Sequence, residues 1–128
     1  MGFAVDYELV TLASDQDVYT EMERSRWWEA TQPFTALGQL LATQGAAWRY
    51  GHATVALWRD ILTAIPDETA ALVIGHSGEL EIALVTCFPY ANHSEWGMPF
   101  GPCEGARLVF AGDPEHFTAV QLLRGEFR

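Results

Sequence analysis

Residues 72–81 of this 128-residue chain read LVIGHSGELE. An apolar run of the kind that forms a buried strand ends at Ile74. Glycines on both sides of His76 and Ser77 interrupt the run, and a helical pattern of apolar residues begins after Glu79. We therefore predict a strand, a tight turn and a helix in that order, and an α/β fold for the chain.

The turn at His76 has the physical character of an anion site. The first N–H groups of a helix are unpaired, and the helix dipole places positive partial charge there. Ser77 is a suitable N-cap, and Gly78 lets a ligand approach the backbone closely. His76 can donate a hydrogen bond to a phosphoryl oxygen. The alternative is a plain helix cap beside a bystander histidine, whereas a G-x-S-x-G nucleophile elbow fails because its last position is Glu79.

Further helices and two strands are predicted around this unit, and the length suits one domain covering residues 1–128. The predicted elements are a helix near 20–30, a helix from Pro33 to before Gly45, a helix over 55–65 stopped by Pro66, the helix after the turn, stopped by Pro89, and β-like runs over 106–111 and 117–123.

The order of these elements resembles the later part of the histidine phosphatase (phosphoglycerate-mutase-like) superfamily. Its members carry a strand–turn–helix of the form V-(S/G)-H-(G/S)-G, followed by an aliphatic helix and a proline, and residues 72–89 are similar to that unit. The likeness covers roughly residues 50–124. It implies an incomplete three-layer sandwich around a mostly parallel sheet.

The resemblance also implies a function. His76, Ser77 and Gly78 would form a pocket for phosphate or a phosphorylated small molecule, with His76 in the catalytic role of stabilising the transferred phosphoryl group. The superfamily's nucleophile is a histidine in an Arg-His-Gly motif on the first strand, and this sequence contains no such string. Covalent phosphoryl transfer needs that nucleophile. We therefore expect a phosphatase-like protein that is truncated at its N-terminus and catalytically incomplete.

A non-catalytic, self-assembling interaction module is the alternative function. If the neighbouring first strand is absent, residues 72–74 become an apolar sheet edge, which is a template for pairing with another chain. We accordingly expect a homodimer or larger assembly that covers this edge. Trp27, Trp28 or Trp58 would lie in its interface.

Composition limits the other partners. The formal net charge is −10 and every basic residue is Arg, without a basic run, so we expect no binding to nucleic acid or to an anionic membrane surface. No run of eighteen apolar residues occurs, and the first ten residues lack the features of a signal peptide. Two cysteines are too few for a disulfide framework, which favours a reducing cytoplasm.

Other chemistry-bearing residues receive plainer interpretations. The cysteines and histidines form no C-x-x-C or H-x-x-x-H pair, so we expect neither a metal site nor a cofactor. We interpret Glu79 and Glu81 as solvent-facing helix caps and Cys87 as a buried structural thiol. The apolar loop at 96–101 would be exposed, either as a lid over the active site or as cover for a partner subunit.

Overall fold

Local sequence signals determine where most helices begin and end. The computed structural model describes residues 15–110 and 117–125. Asp15 caps the first helix, where its side chain accepts a hydrogen bond from the Val18 N–H at 3.1 Å. Pro33 occupies the first turn of the second helix. The elements are α1 (Gln16–Ser25), α2 (Pro33–Ala42), α3 (Ala46–Ala64), α4 (Glu79–Cys87), β1 (Gly105–Phe110) and β2 (Phe117–Leu123), with 3₁₀ turns at Trp27–Glu29 and His93–Glu95.

The start of α3 depends on a contact between distant parts of the chain. The sequence pattern predicted only its second half, but the helix begins at Ala46. There the Glu21 carboxylate of α1 accepts hydrogen bonds from the N–H groups of Ala46 (2.7 Å) and Ala47 (3.4 Å). Because a carboxylate is favourable at a helix N-terminus, Glu21 supplies the cap that the local sequence lacks.

An aromatic cluster forms the centre of the core. Phe34 of α2 is fully buried, and its ring centroid lies 5.4 Å from that of Trp96 and 5.8 Å from that of Phe100. The prediction of an exposed apolar loop at 96–101 is therefore wrong for Trp96 and Phe100, which are buried. Large aromatic side chains gain more from burial than smaller ones, so these two rings pack in the core although they lie in a loop. Only Met98 of the loop's large apolar side chains is strongly exposed.

Helices α3 and α4 pack closely because one residue lacks a side chain. A Cβ atom added at Gly51 of α3 would lie 2.2 Å from Oγ1 of Thr86 in α4, well inside contact distance. The Thr86 hydroxyl itself donates to the Ile82 carbonyl at 2.8 Å. Glycine at position 51 thus sets the distance between the two helices.

The sheet differs from the predicted one. The two predicted β-runs are confirmed as β1 and β2, but they pair antiparallel with each other, with Gly105 opposite Leu123. Over the described ranges they form a single two-stranded sheet in an otherwise helix-rich fold. The expected three-layer sandwich around a mostly parallel sheet is therefore wrong. The turn expected at 112–114 lies outside the described residues.

The predicted central strand is the reason for this difference. Residues 70–75 join α3 to α4 without regular secondary structure, and they make no hydrogen bond with any part of the chain that the structure describes. A strand needs a hydrogen-bonded neighbour to become part of a sheet. The apolar run reveals a segment suited to burial, but the described chain offers it no pairing strand.

Arg124 fastens the end of β2 to the loop after α4. Its guanidinium donates to the Met98 carbonyl at 2.6 Å, to the Trp96 carbonyl and, at 3.2 Å, to the Glu104 carboxylate. Glu104 also accepts hydrogen bonds from the N–H groups of Gly101 (2.8 Å) and Gly125 (3.0 Å). These contacts tie the sheet to the aromatic core.

Candidate functional site

The turn before α4 has the predicted position but an unexpected hydrogen-bond pattern. Gly78 is the N-cap and has a φ of 90°, a conformation that L side chains rarely adopt, so glycine is required. Its N–H donates to Glu81 Oε1 at 2.9 Å, and the Ser77 hydroxyl donates to Glu81 Oε2 at 2.8 Å. The donors predicted for phosphate therefore bind a carboxylate of the same chain.

Glu81 is the buried centre of this turn. Its side chain has no exposed surface, and Oε2 also accepts a hydrogen bond from the Phe100 N–H at 3.2 Å. A charge taken out of water needs such donors, and here three of them compensate it. The interpretation of Glu81 as a solvent-facing cap is wrong, because the protein uses its carboxylate to pair buried N–H groups.

Glu79 is buried as well, so the same interpretation is wrong for this residue. It is 6% exposed, and its Oε2 accepts a hydrogen bond from the Tyr50 hydroxyl at 2.9 Å. Burial, followed by this hydrogen bond to a carboxylate, raises the pKa of Tyr50 above its ordinary value. Tyr50 therefore stays a hydrogen-bond donor at neutral pH and connects α3 to the first turn of α4.

His76 stands at the surface of this turn. Its carbonyl accepts a hydrogen bond from the Leu80 N–H at 3.0 Å, while its ring is exposed and makes no hydrogen bond to any residue that the structure describes. The three predicted site residues are therefore adjacent on one turn. Only Ser77 and Gly78 reach the neighbouring cavity, whose lining does not include His76.

A cavity of about 220 Å³ opens beside Ser77 and Gly78. Aromatic rings supply much of its wall, and Trp27 and Trp28 meet edge to face with ring centroids 6.1 Å apart and an interplanar angle of 84°. Its described lining residues are Tyr19, Met22, Glu23, Trp27, Trp28, Ser77, Gly78 and Pro99. No local pattern predicted that the tryptophans of the first 3₁₀ turn and the His76 turn would line one cavity, because the two segments lie about fifty residues apart in the chain.

A second feature is the apolar segment 70–75. Leu72 is 73% exposed and Ile74 is 81% exposed, whereas Val73 between them packs against a small core cluster that contains Trp58. From Leu72 to Ile74 the exposed and partly buried side chains thus alternate, as in a strand with one covered face, whereas residues 70 and 71 are both exposed. Beside the segment lies an apolar groove of about 140 Å³. Its lining residues are Trp58, Ile61, Leu62, Ala71, Leu72, Val73, Ala106, Leu108 and Phe117.

The cysteines and the acidic residues show no metal-binding arrangement. Within residues 15–110 and 117–125, no group of three or more His, Cys, Asp or Glu side chains could hold a metal ion. Both cysteines are free; Cys103 is exposed, and Cys87 is partly buried. Burial raises the pKa of Cys87 to about 12. At neutral pH Cys87 is therefore an uncharged thiol in a packed position.

Comparison with known proteins leaves the family open. No protein-family model matches the chain, and neither a curated protein nor a solved structure matches it. Membership of the histidine phosphatase superfamily stays a prediction from the sequence. Among the described helices, none is long and apolar enough to cross a membrane.

Proposed function

We propose that this chain is a non-catalytic assembly module in which residues 70–75 pair with the same segment of a second copy. The observation that carries the proposal is the exposure of Leu72 and Ile74 on a segment with unpaired backbone groups among the described residues. Such a segment offers both a row of hydrogen-bonding groups and an apolar face. A second strand pairs the backbone groups and brings Leu72 and Ile74 of the two copies into cross-strand contact.

The charges beside the segment favour a second copy in antiparallel orientation. The segment itself is uncharged; Asp67 and Glu68 precede it, and His76 follows it. Antiparallel pairing about a two-fold axis brings the acidic turn of one copy toward His76 of the other. Parallel pairing would instead place the two acidic turns side by side, which repel each other.

The expected affinity follows from the buried side chains. Full burial is worth about 1.5–3 kcal/mol for one Leu or Ile, so about 6–12 kcal/mol is the upper bound for Leu72 and Ile74 of two copies, and cross-strand pairing, which covers only part of each side chain, contributes less. A micromolar dissociation constant corresponds to about 8 kcal/mol. Association also costs several kcal/mol of lost freedom, which the main-chain hydrogen bonds of the new ladder partly offset. We expect a dimer that forms at micromolar or higher concentration.

Sedimentation velocity over a range of concentrations tests the proposal. The wild-type chain should shift from monomer to dimer, and Ile74→Lys should remain monomeric because a charge at a sheet edge opposes pairing. Tyr90→Lys is the matched control, since Tyr90 is 99% exposed on a different loop. A wild-type chain that remains monomeric, or an Ile74→Lys variant that dimerises like the wild type, would refute the assembly function.

Trp27 was one of three tryptophans expected in the interface, but it does not belong to the interface proposed here. It is 3% exposed and packs in the core of its own chain, so we leave it out of the interface. Trp58 is 8% exposed and packs in a small core cluster, but it lines the groove beside residues 70–75, so we assign it to the border of the interface. We also assign the module to the reducing cytoplasm, in keeping with its two free cysteines.

A phosphate pocket of the histidine phosphatase type is the second candidate. It is favoured by one observation: α4 begins at Glu79, directly after His76, Ser77 and Gly78, in the order expected from the resemblance. Glu81 competes with phosphate for the same donors, so we expect weak binding and no turnover. The wild-type chain should hydrolyse p-nitrophenyl phosphate no faster than His76→Ala. Turnover that depends on His76 would show instead that the site is a complete enzyme.

A further inference from the structure

The cavity beside Ser77 and Gly78 has the electrostatic character of a cation site. Two donors on the turn residues that line the cavity are taken by Glu81: the Ser77 hydroxyl donates at 2.8 Å and the Gly78 N–H at 2.9 Å. The Ser77 oxygen therefore presents its lone pairs to any further ligand. An anion in the cavity would have to compete with the Glu81 carboxylate for both of these donors.

The rest of the wall adds negative potential. Tyr19, Trp27 and Trp28 supply ring surfaces, and Glu23 is the charged residue among the described residues that line the cavity. The face of an aromatic ring carries negative quadrupolar potential and attracts a cation within about 6 Å of its centroid. The net charge of −10 steers cations toward the whole molecule.

Trp28 makes a cation–π contact with a side chain of its own protein. The guanidinium carbon of Arg26 lies 5.8 Å from the centroid of the Trp28 ring, and Arg26 is not among the residues that line the cavity. A side-chain cation of the protein thus associates with one of the rings that form the wall. Tyr19 and Trp28 thus offer ring surface to the cavity and Glu23 offers a carboxylate, a combination of groups that recognises alkylated ammonium ions, whereas Trp27 is 3% exposed and contributes little surface.

We propose that the cavity formed by Tyr19, Glu23, Trp27 and Trp28 beside Ser77 binds a small organic cation, such as a quaternary or alkylated ammonium group. Its volume of about 220 Å³ suits a small head group rather than a drug-sized molecule. This site is distinct from the apolar segment 70–75, so it does not depend on the assembly function.

Choline and its neutral carbon isostere, 3,3-dimethylbutan-1-ol, are the probes that test the proposal. The two molecules have the same shape and differ in charge. We expect choline to bind the wild-type chain about tenfold more tightly, measured by isothermal titration and by NMR shifts of the Trp28 indole N–H. Equal affinities would overturn the proposal, as would the absence of saturable choline binding.

Matched variants locate the site. Tyr19→Leu and Glu23→Gln should each weaken choline binding several-fold, since they remove one ring and the carboxylate. Tyr90→Leu and Glu95→Gln make the same changes at exposed positions outside the cavity and should leave binding unchanged. Circular dichroism checks that each variant is folded. Unchanged choline affinity in both cavity variants would overturn the proposal, and so would inorganic phosphate shifting the Ser77 and Gly78 amides more than choline does.

Discussion

Replacing Glu81 should destabilise the protein more than the loss of an ordinary helix cap. In Glu81→Ala the N–H groups of Gly78 and Phe100 lose their acceptor in a buried environment, and the Ser77 hydroxyl loses its own. Leaving a buried donor unpaired costs about 1–3 kcal/mol. With two such N–H groups, we expect the free energy of unfolding to fall by about 4 kcal/mol, a large part of the stability of a small domain.

Glu81→Gln separates the hydrogen bonds from the charge. The amide keeps one acceptor oxygen, so it can serve some of the three donors but not all of them. We expect the free energy of unfolding of Glu81→Gln to fall by about 2 kcal/mol, which places its stability between that of the wild type and that of Glu81→Ala. Glu95→Ala, at an exposed carboxylate, should change stability by less than about 0.5 kcal/mol.

Urea denaturation followed by circular dichroism measures these differences. All variants must be compared at one protein concentration, because association raises the apparent stability of a chain that dimerises. A Glu81→Ala variant as stable as Glu95→Ala would refute the reasoning. It would mean that the buried donors find other partners, and that the Glu81 carboxylate does not hold the turn before α4.

Two further predictions concern groups away from the turn. Hydrogen bonds from the Gly101 and Gly125 backbones and from Arg124 lower the pKa of Glu104, so its ionised form stabilises the fold above the ordinary carboxyl range. The melting temperature of Glu104→Gln should therefore lie below that of the wild type at pH 7. The difference should vanish as the pH falls through the lowered pKa of Glu104. A difference in melting temperature that stays constant with pH would contradict this prediction. Iodoacetamide at pH 8 should alkylate the exposed Cys103 well before Cys87, as followed by mass spectrometry, because burial raises the pKa of Cys87 to about 12. Equal rates would show that Cys87 is accessible and ionised.

The sequence predicted α2 and α4 from local signals, but it placed the first helix near 20–30, whereas α1 spans Gln16–Ser25 and begins after the local cap Asp15. Pro33 and Pro66 bound elements as expected, and the helix from Glu79 was placed correctly because apolar spacing and a glycine turn are local signals. The start of α3 was missed, since its cap comes from Glu21, twenty-five residues earlier in the chain. Local patterns do not report such contacts.

In the sheet and in the candidate site too, local features were predicted and long-range contacts were missed. A continuous apolar run ending at Ile74 indicated a buried strand, but pairing depends on a neighbouring strand that the pattern does not identify. The His76 turn was located from sequence, whereas the role of Glu81 was missed. A signal was present: an acidic residue three positions after the N-cap is the acceptor of a capping box. The cavity with Trp27 and Trp28 left no local signal, because it arises from packing between distant segments.

The close approach of α3 and α4 has a consequence for sequence divergence. The space beside Gly51 is filled by the hydroxyl of Thr86, so the two positions share one small volume. A side chain can enter at position 51 where Thr86 rotates its hydroxyl away or is replaced by a smaller residue, or where the helices move apart, and each change disturbs the packing of neighbouring residues. Related sequences with a larger residue at position 51 are therefore expected to carry a compensating change at position 86.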